Sequence, residues 1–256
     1  VDPDLAIKPE KRMKEFQNLI YRTHDAGLKV IIDFVPNHVA RQYQSANRPE
    51  GVKDLGEEDD QTLSFSPQNN FYYIPGHPFQ PGFDLQGSAP SPYEECPAKA
   101  TGNDNFSPSP GRNDWYETIK LNYGIDYCNG GERHFDPIPS TWFKMRDILL
   151  FWAGKGIDGF RCDMAEMVPV EFWAWAIPQV KCHYPSLVFI AEVYNPNEYR
   201  NYIYKGGFDY LYDKVGLYDT LRGVVCGYAS ARQITGCWQN VDDIKDRMLN
   251  FLENHD

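Results

Sequence analysis

Three carboxylates (Asp163, Glu192, Asp256), two histidines (His38, His255) and an arginine (Arg161) stand at the ends of short apolar runs. Arg161 and Asp163 are two residues apart in "GFRCDM", so on a strand both point to one face. An arginine that close favours the ionised carboxylate, the form in which Asp163 attacks. Glu192 sits in "FIAEVY", among apolar neighbours that suit a general acid. Two carboxyls tuned in opposite directions are what glycoside cleavage needs. Phosphoryl transfer and metal-assisted hydrolysis also use several carboxylates, so residue chemistry alone leaves all three open.

Residues so far apart in sequence need a framework that gathers strand ends. Met13, Phe16, Leu19 and Ile20 recur at helical spacing, with Pro9 at the start and Gly27 at the stop. The β-branched run 28–35 then reads as a buried strand that carries Asp33 and ends in Pro36-Asn37-His38. After residue 139 the rhythm returns. Ser140 or Thr141 caps a helix through Trp152, and 157–164 is a strand. Residues 169–183 form a helix that Pro178 should kink, and 187–193 is the next strand. A short helix near Glu198, a strand at 208–212, a helix from about Val241 and a final strand over 248–256 complete the pattern. Strands alternating with helices imply a parallel α/β sheet, in which chemistry gathers at the C-terminal strand ends.

Residues 39–139 differ in character. They are rich in Pro, Gly, Asn, Asp and Ser, a composition of turns and short strands. About a hundred such residues do not make one structureless loop inside a compact domain, so they read as an inserted subdomain. The division is therefore 1–38, 39–139 and 140–256. Within the insert, the acidic run Glu57-Glu58-Asp59-Asp60 reads as a solvated loop. Tyr72, Tyr73, Trp115 and Tyr116 are candidates for stacking on a sugar or for core positions.

The net charge of −11, with no basic stripe, argues against a phosphate-backbone partner. Six cysteines without a CxxC spacing argue against zinc. Cys96 and Cys128 flank one irregular region and are a possible pair, and the redox compartment stays open. Cys162, between Arg161 and Asp163, points away from them and reads as core. No 18-residue apolar run and no signal peptide is present; the chain begins with Val, so localisation stays unknown.

Four short motifs resemble those of glycoside hydrolase family 13, the α-amylase family, in order and spacing: "DFVPNH" at 33–38, "GFRCDMAE" at 159–166, "FIAEV" at 189–193 and "FLENHD" at 251–256. A weaker fifth, "IKLN" at 119–122, lies in the insert. The resemblance implies a (β/α)8 barrel of which about strands three to seven are present, with an irregular B domain after strand three. It implies a retaining α-glycosidase acting on α-1,4 bonds of starch or maltodextrin through a covalent glycosyl-enzyme. Asp163 would be the nucleophile, Glu192 the acid/base and Asp256 the transition-state stabiliser. His38, His255 and Arg161 would bind or orient at the same ring.

The resemblance also implies a structural Ca²⁺ near Asn37 and Asn122, whose oxygens suit a hard cation. Against this, Glu166-Met167 stands where calcium-binding amylases place a Lys-His pair, which leans toward the neopullulanase and cyclomaltodextrinase side. The rival activity is α-glucan transglycosylation, and a third reading is a non-catalytic sugar-binding homologue. The implied partner is an α-glucan, not a nucleic acid. A barrel lacking three strands has exposed edges, so the segment alone is expected to fold poorly and to be inactive.

Overall fold

The structure is a computed structural model and describes residues 6–45, 48, 50–85 and 93–254. Two compact units emerge, one of Val1–Phe34 with Asp147–Asp256 and one of Val35–Arg146.

The first unit opens with a 3-10 turn, Pro9–Lys11, that leads into helix α1, Arg12–Asp25. Gly27, at φ +75°, ends it where a side chain would be strained. Strand β1, Ile31–Phe34, follows.

The second unit then runs through β2 (His38–Ala40), β3 (Tyr73–Ile74), β4 (Ala98–Lys99), β5 (Thr118–Lys120), β6 (Ile125–Asp126) and β7 (Glu132–Arg133). These pair antiparallel as β2–β5, β3–β4 and β6–β7, three small ribbons joined by long turns. Tyr72 and Tyr73 are buried, which makes them core residues rather than sugar platforms. The acidic run is only partly a solvated loop. Asp59 accepts from the backbone N–H groups of Asn70 (2.7 Å) and Phe71 (3.0 Å) and from the Tyr73 hydroxyl. It therefore replaces a missing ladder at that turn. Helix α2, Ser140–Ala153, begins in this unit. Ser140, expected as a cap, is instead its first helical residue and donates to the Gln68 carbonyl.

A unit so poor in regular structure is held by buried polar pairs. Arg41 Nη1 lies 2.6 Å from Glu95 Oε1, with both side chains 4% exposed. Arg41 also donates to the carbonyls of Tyr116 and Thr118. Tyr93 and the Lys99 N–H fill the remaining Glu95 lone pairs. Lys99 Nζ, 3.3 Å from Glu95 Oε2, remains when Arg41 is removed, so Arg41→Met is expected to cost about 3 kcal/mol, the low end for a broken buried pair. A urea titration followed by tryptophan fluorescence reads this, and an unshifted midpoint would contradict it.

The first unit resumes with β8, Gly159–Cys162, helix α3, Val170–His183, and β9, Val188–Ala191. Then come β10, Tyr210–Tyr212, helices α4, Asp219–Val225, and α5, Gln233–Asn240, and β11, Met248–Leu249. The sheet order is β1-β8-β9-β10-β11, every neighbouring pair parallel and in sequence order. A Cβ on Gly159 would stand 2.5 Å from the Val188 carbonyl, so only glycine permits the β8–β9 approach there. Phe160, Phe189, Phe172, Trp173 and Phe208 are fully buried. Their rings meet edge-on or tilted, as do Phe34 and Phe160, which glues the helices to the sheet.

Several expectations shift. The helix placed from Val241 lies earlier and ends at Asn240; the 241–247 stretch holds only a 3-10 turn, Lys245–Arg247. Alternating charges there, "DDIKDR", give no apolar stripe to dock a longer helix. Helix α4 and a π-helical turn, Lys214–Tyr218, were not foreseen. The final strand is two residues long, not nine. All six cysteines are free thiols, Cys96 and Cys128 included. Cys162 is fully buried, and burial pushes its thiol pKa up.

Candidate active site

The parallel register brings four acidic and basic side chains to the C-terminal ends of β1, β8 and β9. Asp33 pairs across with Arg161, which pairs with Ile190. Beyond the strands the ladder continues: the Asp163 N–H donates to the Phe34 carbonyl and the Glu192 N–H to the Cys162 carbonyl. Asp163 and Glu192 thus leave neighbouring strands at the same level.

Arg161 is the hub. Its Nη1 donates to Asp163 Oδ1 at 2.6 Å and to Asp33 Oδ1 at 3.2 Å. Its Nη2 lies 2.8 Å from Glu192 Oε1, an ion pair without hydrogen-bond alignment. The Tyr212 ring lies 5.5 Å from the guanidinium carbon. Burial alone would lower the arginine pKa, but Glu192, Asp163 and Asp33 outweigh it and raise it. One cation therefore faces three carboxylates.

The two central carboxyls differ in access. Glu192 is 2% exposed, whereas the Asp163 side chain is 21% exposed. Glu192 Oε1 accepts from the Tyr194 hydroxyl at 2.6 Å, and Oε2 from the Met164 N–H at 2.8 Å. Met164 gives that N–H from a left-handed backbone, φ +43°, an uncommon conformation for a residue with a side chain. The apolar surround expected for Glu192 is therefore half of the picture. Ala191 and Val193 are buried, but they turn away from its carboxyl, which meets donors at the strand tip.

Of the residues singled out from sequence, Arg161, Asp163 and Glu192 come together in the first unit. His38, Asn37 and Asn122 belong to the second. His255 and Asp256 lie outside the described residues. Phe251, in their motif, packs on Tyr212 and Tyr218 at ring distances of 5.3 and 5.0 Å. His38 pairs with Lys120 across β2–β5 and meets the Trp115 ring edge-on at 5.4 Å.

Asn37 and Asn122 do not fit a calcium ion. The Asn37 amide oxygen accepts from Lys120 Nζ at 2.7 Å, and its nitrogen donates to the Gly102 carbonyl. The Asn122 amide oxygen accepts from the Gly124 N–H, and its nitrogen donates to the Ser66 carbonyl. The oxygens a hard cation needs are already committed to donors. Among the described residues, no group of three or more His, Cys, Asp or Glu is placed to hold a metal.

Tyr194, Tyr212 and the Met164 N–H were not singled out from sequence. Tyr194 had a signal: it follows Glu192 by two, so strand alternation puts both on one face. Tyr212 and Met164 had none, because a cross-strand ring contact and a left-handed turn leave no spacing to read.

Against known proteins, the family model for the alpha amylase catalytic domain matches residues 10–182. An alpha-1,4-glucan:maltose-1-phosphate maltosyltransferase from Cereibacter sphaeroides is 33% identical over 75 residues, 29% of this chain and 13% of that one. A solved alpha-amylase from Lactobacillus plantarum superposes with a TM-score of 0.56 at 24% identity, over 95% of this chain and 46% of that one. A cyclic alpha-maltosyl-(1→6)-maltose hydrolase from Arthrobacter globiformis gives 0.61 at 17% identity, over 95% and 46%. These likenesses show the fold, an α/β parallel sheet of the alpha-amylase barrel type. The chain spans less than half the length of these solved enzymes and a smaller part of the curated relative.

Proposed function

Because the chain belongs to the alpha-amylase catalytic-domain family, we propose that it carries the reaction centre of a retaining enzyme acting on α-1,4-linked glucans. The observation that carries the reading is one guanidinium held between an accessible carboxylate, Asp163, and a buried one, Glu192. Two carboxyls on adjoining nitrogens of one fork suit the separation of roughly 5–5.5 Å that retention needs.

In this reading Asp163 attacks the anomeric carbon while Glu192 gives its proton to the departing glycosidic oxygen. A glycosyl ester forms on Asp163. Glu192, now ionised, takes a proton from the incoming hydroxyl, whose oxygen displaces Asp163 and restores the α configuration. Tyr194 and the Met164 N–H fix the Glu192 carboxyl for both proton transfers. Asp256 binds the distorted sugar, and His255 holds its ring hydroxyls. The parallel strands are read as barrel strands three to seven, and the second unit as the inserted B domain.

Hydrolysis and glycosyl transfer share this intermediate and differ only in the acceptor. Hydrolysis is the first reading; transfer to a sugar is the second, favoured by the relatives that are named maltosyltransferases. Incubating the full-length protein with maltoheptaose separates them, since water yields new reducing ends and transfer yields longer oligosaccharides. If neither product appears, the activity assignment fails and the non-catalytic homologue stands.

A further inference from the structure

The second unit contains a buried cation of its own. Lys120, on β5, is 2% exposed, and its ammonium has two oxygen partners. Asp104 Oδ1 lies 2.6 Å away and the Asn37 amide oxygen 2.7 Å away. The Tyr127 ring centroid is 5.6 Å from the nitrogen, within reach of a cation–π contact. Those partners come from three separate stretches of chain: the turn after β1, the loop that follows β4, and the 3-10 turn Tyr127–Asn129.

The approach is closely built. Asn37 reaches across to donate to the Gly102 carbonyl at 2.7 Å. A Cβ on Gly102 would stand 2.7 Å from Thr118 Oγ1 and 2.9 Å from His38 Cβ, so glycine lets the 101–105 loop come this near. Asp104 keeps a left-handed backbone at φ +65° while presenting its carboxylate to Lys120. A cation in this place draws together an amide oxygen, a carboxylate and two loops, the work that a structural divalent ion does in an irregular domain.

We propose that the Lys120 ammonium is the resident structural cation of the second unit, standing in for a divalent ion between β2, β5 and the 101–105 loop. An ammonium fixed by covalent attachment needs no metal supply and is insensitive to chelators. Lys120 is also more deeply buried than its partner, since the Asp104 side chain is 38% exposed. The carboxylate therefore keeps part of its hydration, while the ammonium depends on the protein for all of its own.

The test uses the full-length protein and needs no activity, so its failure is separate from failure of the proposed reaction. Melting is followed by circular dichroism in 5 mM EGTA and in 5 mM CaCl2 (on the order of concentrations that empty or fill millimolar sites). The expected result is one Tm in both, within about 1 °C, a shift below the change that a kcal/mol of binding would give. A calcium-dependent rise of several degrees overturns the proposal. Lys120→Met, which keeps the chain length and removes the charge, is expected to melt on the order of 5 °C lower or more. Lys120→Met melting with the wild type also overturns it. If that variant does not fold, the loss agrees with the proposal and the wild-type comparison decides.

Discussion

Glu192→Gln lowers the rate of maltoheptaose turnover about 10²–10⁴-fold, the usual worth of a positioned proton donor. The substitution is almost isosteric. An amide oxygen still accepts the Tyr194 hydroxyl while the transferable proton is lost, but the amide nitrogen then faces the Met164 N–H, two donors together. Binding of maltooligosaccharide should stay close to wild type, and stability should fall by no more than the cost of one unpaired N–H, about 1–3 kcal/mol. A second substrate distinguishes lost chemistry from disturbed structure. Maltosyl fluoride has a leaving group that needs no proton, so the first step should proceed while the second, which needs the base, stalls. The expected trace is a burst of fluoride followed by slow turnover, the sign of an accumulating covalent intermediate. If the variant is equally slow in both phases and with both substrates, Glu192 supports structure and the acid/base role is lost.

Arg161→Met is expected to have the largest combined effect on folding and rate. Among the described residues its guanidinium is the one cation shared by Asp33, Asp163 and Glu192. Glu192 has almost no access to water, so removing the cation leaves a buried carboxylate facing two others. Breaking such a pair costs about 3–5 kcal/mol, which for a domain of this size is roughly 6–20 °C in Tm. The rate should fall by about 10²-fold or more beyond that, because Asp163 loses the 2.6 Å bond that aims it and small misplacements are that expensive. Arg161→Lys separates the two effects. It keeps the charge but has no planar fork to hold two carboxyls at once, so stability should recover further than rate. A methionine variant that melts and turns over like the wild type would remove Arg161 from the centre of this account.

The parts of the fold legible from sequence were those with strong periodicity. The runs around Ile31, Phe160 and Phe189 are β-branched or aromatic, bounded by glycine or proline, and each is a strand of the parallel sheet. Their tips could be foreseen because a parallel sheet sends all its C-terminal ends one way. The strands came out shorter than the apolar runs, with the Asp163 and Glu192 N–H groups giving the last ladder bonds just beyond them. The region from Lys214 to Arg247 was least legible. Its π-helical turn and short helices are held by such contacts as the Asp213 carboxylate on the Leu217 N–H, which no hydrophobic period records.

The site divided in the same way. Arg161 and Asp163 were legible as a pair because two-residue spacing on a strand fixes a shared face. Two other contacts were hidden, because Met164 reaches Glu192 through its backbone N–H and the Tyr212 ring reaches Arg161 from another strand. Asn37 and Asn122 show the limit of matching residue types to a metal. Both are buried amides, as a calcium site needs, yet Lys120, two residues before Asn122, places its ammonium on the Asn37 oxygen, and the Gly124 N–H takes that of Asn122.

The central claim is that Asp163 becomes covalently glycosylated while Glu192 handles the protons. Its most direct test is to react the full-length Glu192→Gln variant with maltosyl fluoride, quench in acid, digest with pepsin and sequence the peptides by mass spectrometry. A single maltosyl adduct is expected, on the peptide carrying Arg161-Cys162-Asp163, with the ester on the Asp163 side chain. An adduct on any other carboxylate, or fluoride release with no adduct at all, would contradict it.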